Sequence, residues 1–136
     1  METKFNFNSQ VCTSRSQSER LLALGLKKET ADMIHVNYGG RNYIIRPYDW
    51  LPTSKVDMEK YIPAWSLHRL IEMMPYDVIP DGGYDNIFTL IKNYPKGYSV
   101  EYDGFSYYHK ENIYDTLIEG IEHLIKEGYF TKEYLD

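Results

Sequence analysis

Residues 98–128 read YSVEYDGFSYYHKENIYDTLIEGIEHLIKEG, and they decide the fold because two periodicities follow each other without a break. The first part alternates around Asp103-Gly104, a favoured two-residue hairpin turn. Such a turn sets Tyr102 against Phe105, Val100 against Tyr107 and Tyr98 against His109, leaving Glu101, Ser106 and Tyr108 on the opposite face. The second part switches to helical spacing, with Ile113, Leu117, Ile121, Leu124 and Ile125 in one stripe and Gly128 as the stop. Glu122 and Lys126 stand i, i+4 in the favourable order. Gly120 falls on the apolar side, where glycine costs about 1 kcal/mol against alanine, which predicts close approach of another element. A hairpin followed by an amphipathic helix predicts an antiparallel sheet covered by that helix, an α+β arrangement.

Upstream, residues 84–94 (YDNIFTLIKNY) satisfy two templates. Ile87, Leu90, Ile91 and Tyr94 match a helix, while the Ile/Phe/Thr content and the following PKG turn match a strand. The strand reading completes a three-stranded meander. Residues 63–75 (PAWSLHRLIEMMP) place Leu67, Leu70, Ile71 and Met74 on one helix face, with Pro63 suited to the first turn, Ser66 to a cap for a later start, and Pro75 to the stop. Residues 33–48 (MIHVNYGGRNYIIRPY) read as two strands around Gly39-Gly40, closed by Pro47. Residues 13–25 read as a helix with a Ser16/Glu19 capping box and Gly25 as its C-terminal cap. Lys4 to Cys12 is expected as a first strand, and 48–62 as a long connection around Pro52.

The 136 residues suit a single globular domain, 1–136, with a core that needs no disulfide or metal. Hydrophobic residues at 43% and charged residues at 26% exclude a disordered chain, and no apolar run approaches the ~20 residues of a membrane span. The opening METKFNFNSQ lacks the pattern of a signal peptide, so a cytoplasmic location is expected. Charge is asymmetric: nine basic against seven acidic residues in 1–68, and six against thirteen in 69–136. The acidic second half argues against a chain-wide nucleic-acid footprint.

Few residue patterns in the chain point to chemistry. Cys12 is the single cysteine and is read as a small half-buried residue rather than a nucleophile. His35, His68, His109 and His123 lie on separate elements without metal-ligand spacing, so no metal or other cofactor is expected. Ser66 and His68 point about 200° apart on a helix and form no nucleophile–base pair, whereas His68 and Glu72 can meet as a solvated i, i+4 pair. Asp81–Asn86 (DGGYDN) lacks the spacing of a calcium loop and reads as a turn. The positive signal is compositional: 14 of the 21 aromatic residues are tyrosine. Binding surfaces enrich Tyr, Trp and Arg, which singles out RNYIIRPYDW and within it Arg41, Tyr43, Arg46, Tyr48 and Trp50.

Three stretches, TSRSQSERLLALGLKKETADM, IPAWSLHRLIEMMP and DTLIEGIEHLIKEGY, together resemble a group of small uncharacterised proteins of gut Bacteroidetes and their phages and mobile elements. In that group a TADM segment, a PAWSL…L…MP segment and a final amphipathic helix recur in this order. The resemblance spans most of the chain and implies a phage or mobile-element origin, with no activity, cofactor or catalytic residue attached. The expectation is a non-catalytic accessory factor that binds another protein, with self-association open. Two alternatives stand beside it: a small enzyme whose site joins His35, Asp49 and Cys12 from distant segments, and a weak nucleic-acid binder using Arg41 and Arg46.

Overall fold

The computed structural model describes residues 9–45, 61–79, 86–102 and 105–136. Their elements run α1 (Arg15–Ala23), β1 (Met33–Tyr38), β2 (Arg41–Ile45), β3 (Tyr61–Ala64), α2 (Leu67–Met73), β4 (Asp77–Val78), β5 (Asn86–Lys92), β6 (Tyr98–Tyr102), β7 (Phe105–Lys110) and α3 (Ile113–Glu127), with 3₁₀ turns at Lys28–Thr30 and Lys132–Tyr134. The strands form two antiparallel sheets, ordered β2-β1-β3 and β4-β5-β6-β7. This is the α+β architecture expected.

The last helix forms where its signals put it. The Asn112 side chain accepts hydrogen bonds from the N–H groups of Tyr114 and Asp115, and Gly128, at φ 81°, ends the helix in the left-handed region. Reversed bonds from Gly128 and Tyr129 to Ile125 and Leu124 complete the C-terminal cap. α3 packs on β6 and β7 and also meets α1 and α2. The double cover explains why Tyr114, Thr116 and Ile118 are buried beyond the expected stripe.

Gly120 meets the close approach its position implied. A Cβ built there lies 3.4 Å from Met74 Cε and 3.5 Å from Val100 Cγ1, which is ordinary contact distance. Gly120→Ala is therefore expected to raise stability by about 1 kcal/mol, the helix-propensity difference, with the thermal midpoint rising accordingly. A loss of stability on urea titration would show that Met74 cannot yield.

Several expectations are corrected. The capping box of α1 is Ser14 with Gln17, two residues before Ser16 and Glu19. Residues 9–12 of the expected first strand are not strand, and the remainder of Lys4 to Cys12 lies outside the described residues. Tyr61–Ala64, assigned to the connection and to the first turn of the helix, is instead an edge strand paired with β1, Pro63 opposite Ile34. Proline is tolerated at a sheet edge, and Ser66 takes the cap, accepting from the Arg69 N–H. In the last hairpin Tyr102↔Phe105 and Val100↔Tyr107 hold, but a bulge at Ser99/Val100 sets His109 against Ser99 and Tyr98 against Lys110. Glu122 reaches Arg20 on α1, which also binds Glu119 at 2.8 Å. The three-stranded meander gains the two-residue β4 as a fourth strand.

Candidate functional site

The junction Ala64–Ser66 shows what the most site-like stretch of sequence does. Trp65 is fully buried; its carbonyl accepts from the Thr13 N–H at 2.9 Å, and its own N–H donates to Thr13 Oγ1 at 3.0 Å. Its indole Nε1–H donates to Thr30 Oγ1 at 2.9 Å. The Asp32 carboxylate accepts from both the N–H and the hydroxyl of Ser66. Ser66 is thus committed to capping and bracing α2, while His68 sits 3.3 Å from Glu72 on the exposed face. These contacts are architectural.

The enzyme alternative receives a partial convergence. Cys12 Sγ lies 3.9 Å from His35 Nε2, although 23 residues separate them, and Asn42 Nδ2 lies 3.0 Å from His35 Nδ1. Cysteine, histidine and asparagine in that order suggest a thiol nucleophile. The hydrogen bonds argue otherwise. His35 Nε2 is 2.7 Å from the Thr13 carbonyl, which only accepts, so Nε2 carries the proton and donates it there. Asn42 Oδ1 accepts from Arg15 Nη1 at 3.3 Å, which turns the amide N–H₂ toward Nδ1 and fixes the same tautomer. Nε2 consequently has no lone pair for the Cys12 proton.

The thiol itself is poorly suited to attack. Cys12 is 2% exposed, and burial, then the negative charge of Asp32, pushes its pKa from 9.0 to about 11. At pH 8 its thiolate fraction is about 100-fold below that of an ordinary thiol. The expected outcome is that a disulfide reagent labels the native protein at least about 100-fold more slowly than the urea-unfolded chain. The sign in stability follows: folding favours the protonated thiol, so this contribution is complete below pH 9 and is lost as pH rises toward 11. Asp49, the third member of the expected set, lies outside the described residues, and among those described no three His, Cys, Asp or Glu residues group to hold a metal ion.

Two of the five interaction candidates, Arg41 and Tyr43, fall on β2. Arg41 opens the strand and is exposed, and Tyr43 at its centre is 46% exposed. Arg46, Tyr48 and Trp50 lie outside the described residues. Among the described strands β2 stands at the edge of its sheet; it leaves a tight turn at Gly39 and Gly40, both at positive φ, and pairs Tyr38↔Arg41, Asn37↔Asn42, Val36↔Tyr43, His35↔Ile44 and Ile34↔Ile45 with β1. Asn42 and Ile44, which the sequence reading did not single out, are exposed too, Ile44 at 41%. The signal for them lay in the two-residue turn, which fixes the whole register of the strand.

Elsewhere His123 shares a surface depression with Glu119, Glu122 and Lys126, a charged helix flank. Among the described residues no helix is long and apolar enough to cross a membrane. No family model, no curated protein and no solved structure matches the chain.

Proposed function

We propose that this protein is a non-catalytic, cytoplasmic interaction factor that binds another protein through β2, in keeping with an accessory role of phage or mobile-element type. The observation that carries the reading is the edge itself: Arg41, Asn42, Tyr43 and Ile44 are all exposed. An edge strand presents unpaired main-chain donors and acceptors, and Tyr43 and Ile44 add apolar area on its two faces. The buried thiol and the committed His35 tautomer weigh on the same side, because they remove the best-placed nucleophile from use.

Its test is a photo-reactive phenylalanine analogue installed at Tyr43, with the same analogue at Tyr94, 98% exposed on the turn between β5 and β6, as the control. The expected result is a discrete protein adduct from position 43, lost on adding Ile44→Lys, and none from position 94. Equal labelling at both positions, or adducts with nucleic acid alone, would remove the reading.

A further inference from the structure

We infer that the β2 edge binds a second copy of this chain, the two β2 strands pairing antiparallel across a two-fold axis at Tyr43. The inference rests on the reading of β2 as the binding element and names its occupant.

The parity of the hairpin decides which groups face outward. A two-residue turn is closed by a hydrogen-bonded pair, here Tyr38↔Arg41, and hydrogen-bonded and non-bonded pairs then alternate along the ladder. Asn37↔Asn42 and His35↔Ile44 are accordingly non-bonded pairs, while Val36↔Tyr43 is bonded. The N–H and C=O of Tyr43 therefore point to β1, and those of Asn42 and Ile44 point outward. An antiparallel partner must engage these two residues. β2 itself fits: Asn42 and Ile44 flank Tyr43 symmetrically, so Asn42 of one copy meets Ile44 of the other twice over, and every outward group of the two residues is paired.

The side chains agree with this register. Tyr43 stands opposite the other copy's Tyr43 at a non-bonded position, where side chains are closest and aromatic pairs are favourable. Arg41 of one copy comes opposite backbone position 45 of the other in this register. The two Arg41 residues are four positions apart along the paired strands, about 13 Å, beyond a Debye length of ~8 Å. No like charges are opposed.

The other sheet edges carry devices that block such pairing. β3 contains Pro63, β4 has two residues, and β7 ends in Lys110 after a bulge. Proline, shortness, bulges and lysine are the recognised means of blunting an edge. Among the described edge strands, β2, with the sequence RNYII, has no proline or bulge, spans five residues, and carries a single charge, Arg41, at its start.

Disulfide trapping reads the register directly. In the proposed dimer the Cα atoms at position 43 are about 4.5 Å apart, within disulfide reach, whereas those at position 44 are displaced by two residues to about 8 Å, outside it. Under mild oxidation Tyr43→Cys is expected to form covalent dimer at least about 10-fold faster than Ile44→Cys, while Asn42→Cys/Ile44→Cys links across the pair. Buried Cys12 does not compete. Sedimentation of the unmodified protein should show a dimer whose fraction rises with concentration, and Tyr43→Lys, which opposes two ammonium groups at the axis, should be monomeric with an unchanged far-UV spectrum. A monomer up to about 200 μM, or equal trapping at 43 and 44, overturns self-pairing. If that monomer still gives position-43 adducts with a different protein, self-pairing fails and the proposed function stands; if it gives none, both fail.

Discussion

Trp65→Ala is expected to lower the unfolding free energy by about 4 kcal/mol, read as a fall in the urea midpoint at unchanged slope. Among the described residues Trp65 is the largest fully buried side chain, in one core with Leu21 of α1, Leu70 of α2, Val100 of β6 and Leu117 of α3. Truncating it removes the volume of an indole from a core that several elements share. A chain of this size has about 5–15 kcal/mol in total, so the variant sits near the limit of folding. Trp65→Phe separates the two contributions. It keeps most of the volume and removes the indole bond to Thr30 Oγ1, a hydroxyl that retains its own bond to the Lys27 carbonyl at 2.6 Å. That change is expected to cost about 1–2 kcal/mol, and a loss below 2 kcal/mol for Trp65→Ala would mean that the site collapses freely.

Much of this arrangement is readable from the sequence wherever the signal is local. The Gly39-Gly40 pair sets a tight turn and with it the register of β1 and β2. Asn112 and Gly128 bracket α3, and the strand choice for 84–94 holds as Asn86–Lys92. The misses were decided by contacts that local spacing does not show, several of them with partners distant in sequence. Tyr61–Ala64 is four residues long, contains proline and has no alternation, so nothing local marks it as a strand; pairing with β1 makes it one. Both Ser14–Gln17 and Ser16–Glu19 have capping-box spacing, and the earlier start prevails as Ser18 Oγ bonds Thr13 Oγ1 at 2.8 Å inside the fold. Glu122 has Lys126 in reach along the helix but lies closer to Arg20.

The candidate site divides the same way. Exposure of Arg41 and Tyr43 follows from a strand at the margin of a sheet, and the Tyr/Arg composition was enough to single them out. Cys12 and His35 could be named together from the sequence, but their approach was not legible, since it depends on the segment before α1 lying against His35 of β1. Its chemical meaning was less legible still. Residue types alone propose a triad; only the carbonyl of Thr13 and the guanidinium of Arg15, placed at either end of His35 and Asn42, establish which nitrogen holds the proton. A backbone acceptor carries no sequence signature.

Asp32→Ala should lower stability by about 3 kcal/mol in the same urea titration, a large effect for a single half-buried carboxylate. One carboxylate oxygen accepts from the Ser66 N–H at 2.8 Å and the other from the Ser66 hydroxyl, whose oxygen in turn accepts from the Arg69 N–H at 3.1 Å. Bonds to a charged acceptor contribute about 1.5–3 kcal/mol each, and the alanine variant also leaves the Ser66 N–H without its partner at a half-buried junction. Asp32→Asn keeps one carbonyl oxygen but sets its N–H₂ against a hydroxyl already engaged in capping, so it should retain about half of the effect. Ser66→Ala removes the cap and one of the two bonds. In a double-mutant cycle, Asp32→Ala with Ser66→Ala should therefore be sub-additive by about 1 kcal/mol or more, the signature of side chains acting as a unit. Strict additivity would mean that the carboxylate and the cap act independently. The same substitution has a second reading at a distance: removing the Asp32 charge takes away one of the two causes that raise the Cys12 thiol. Cys12 in Asp32→Ala should then react faster than in the native protein yet remain far slower than in the unfolded chain, because burial, the larger cause, persists.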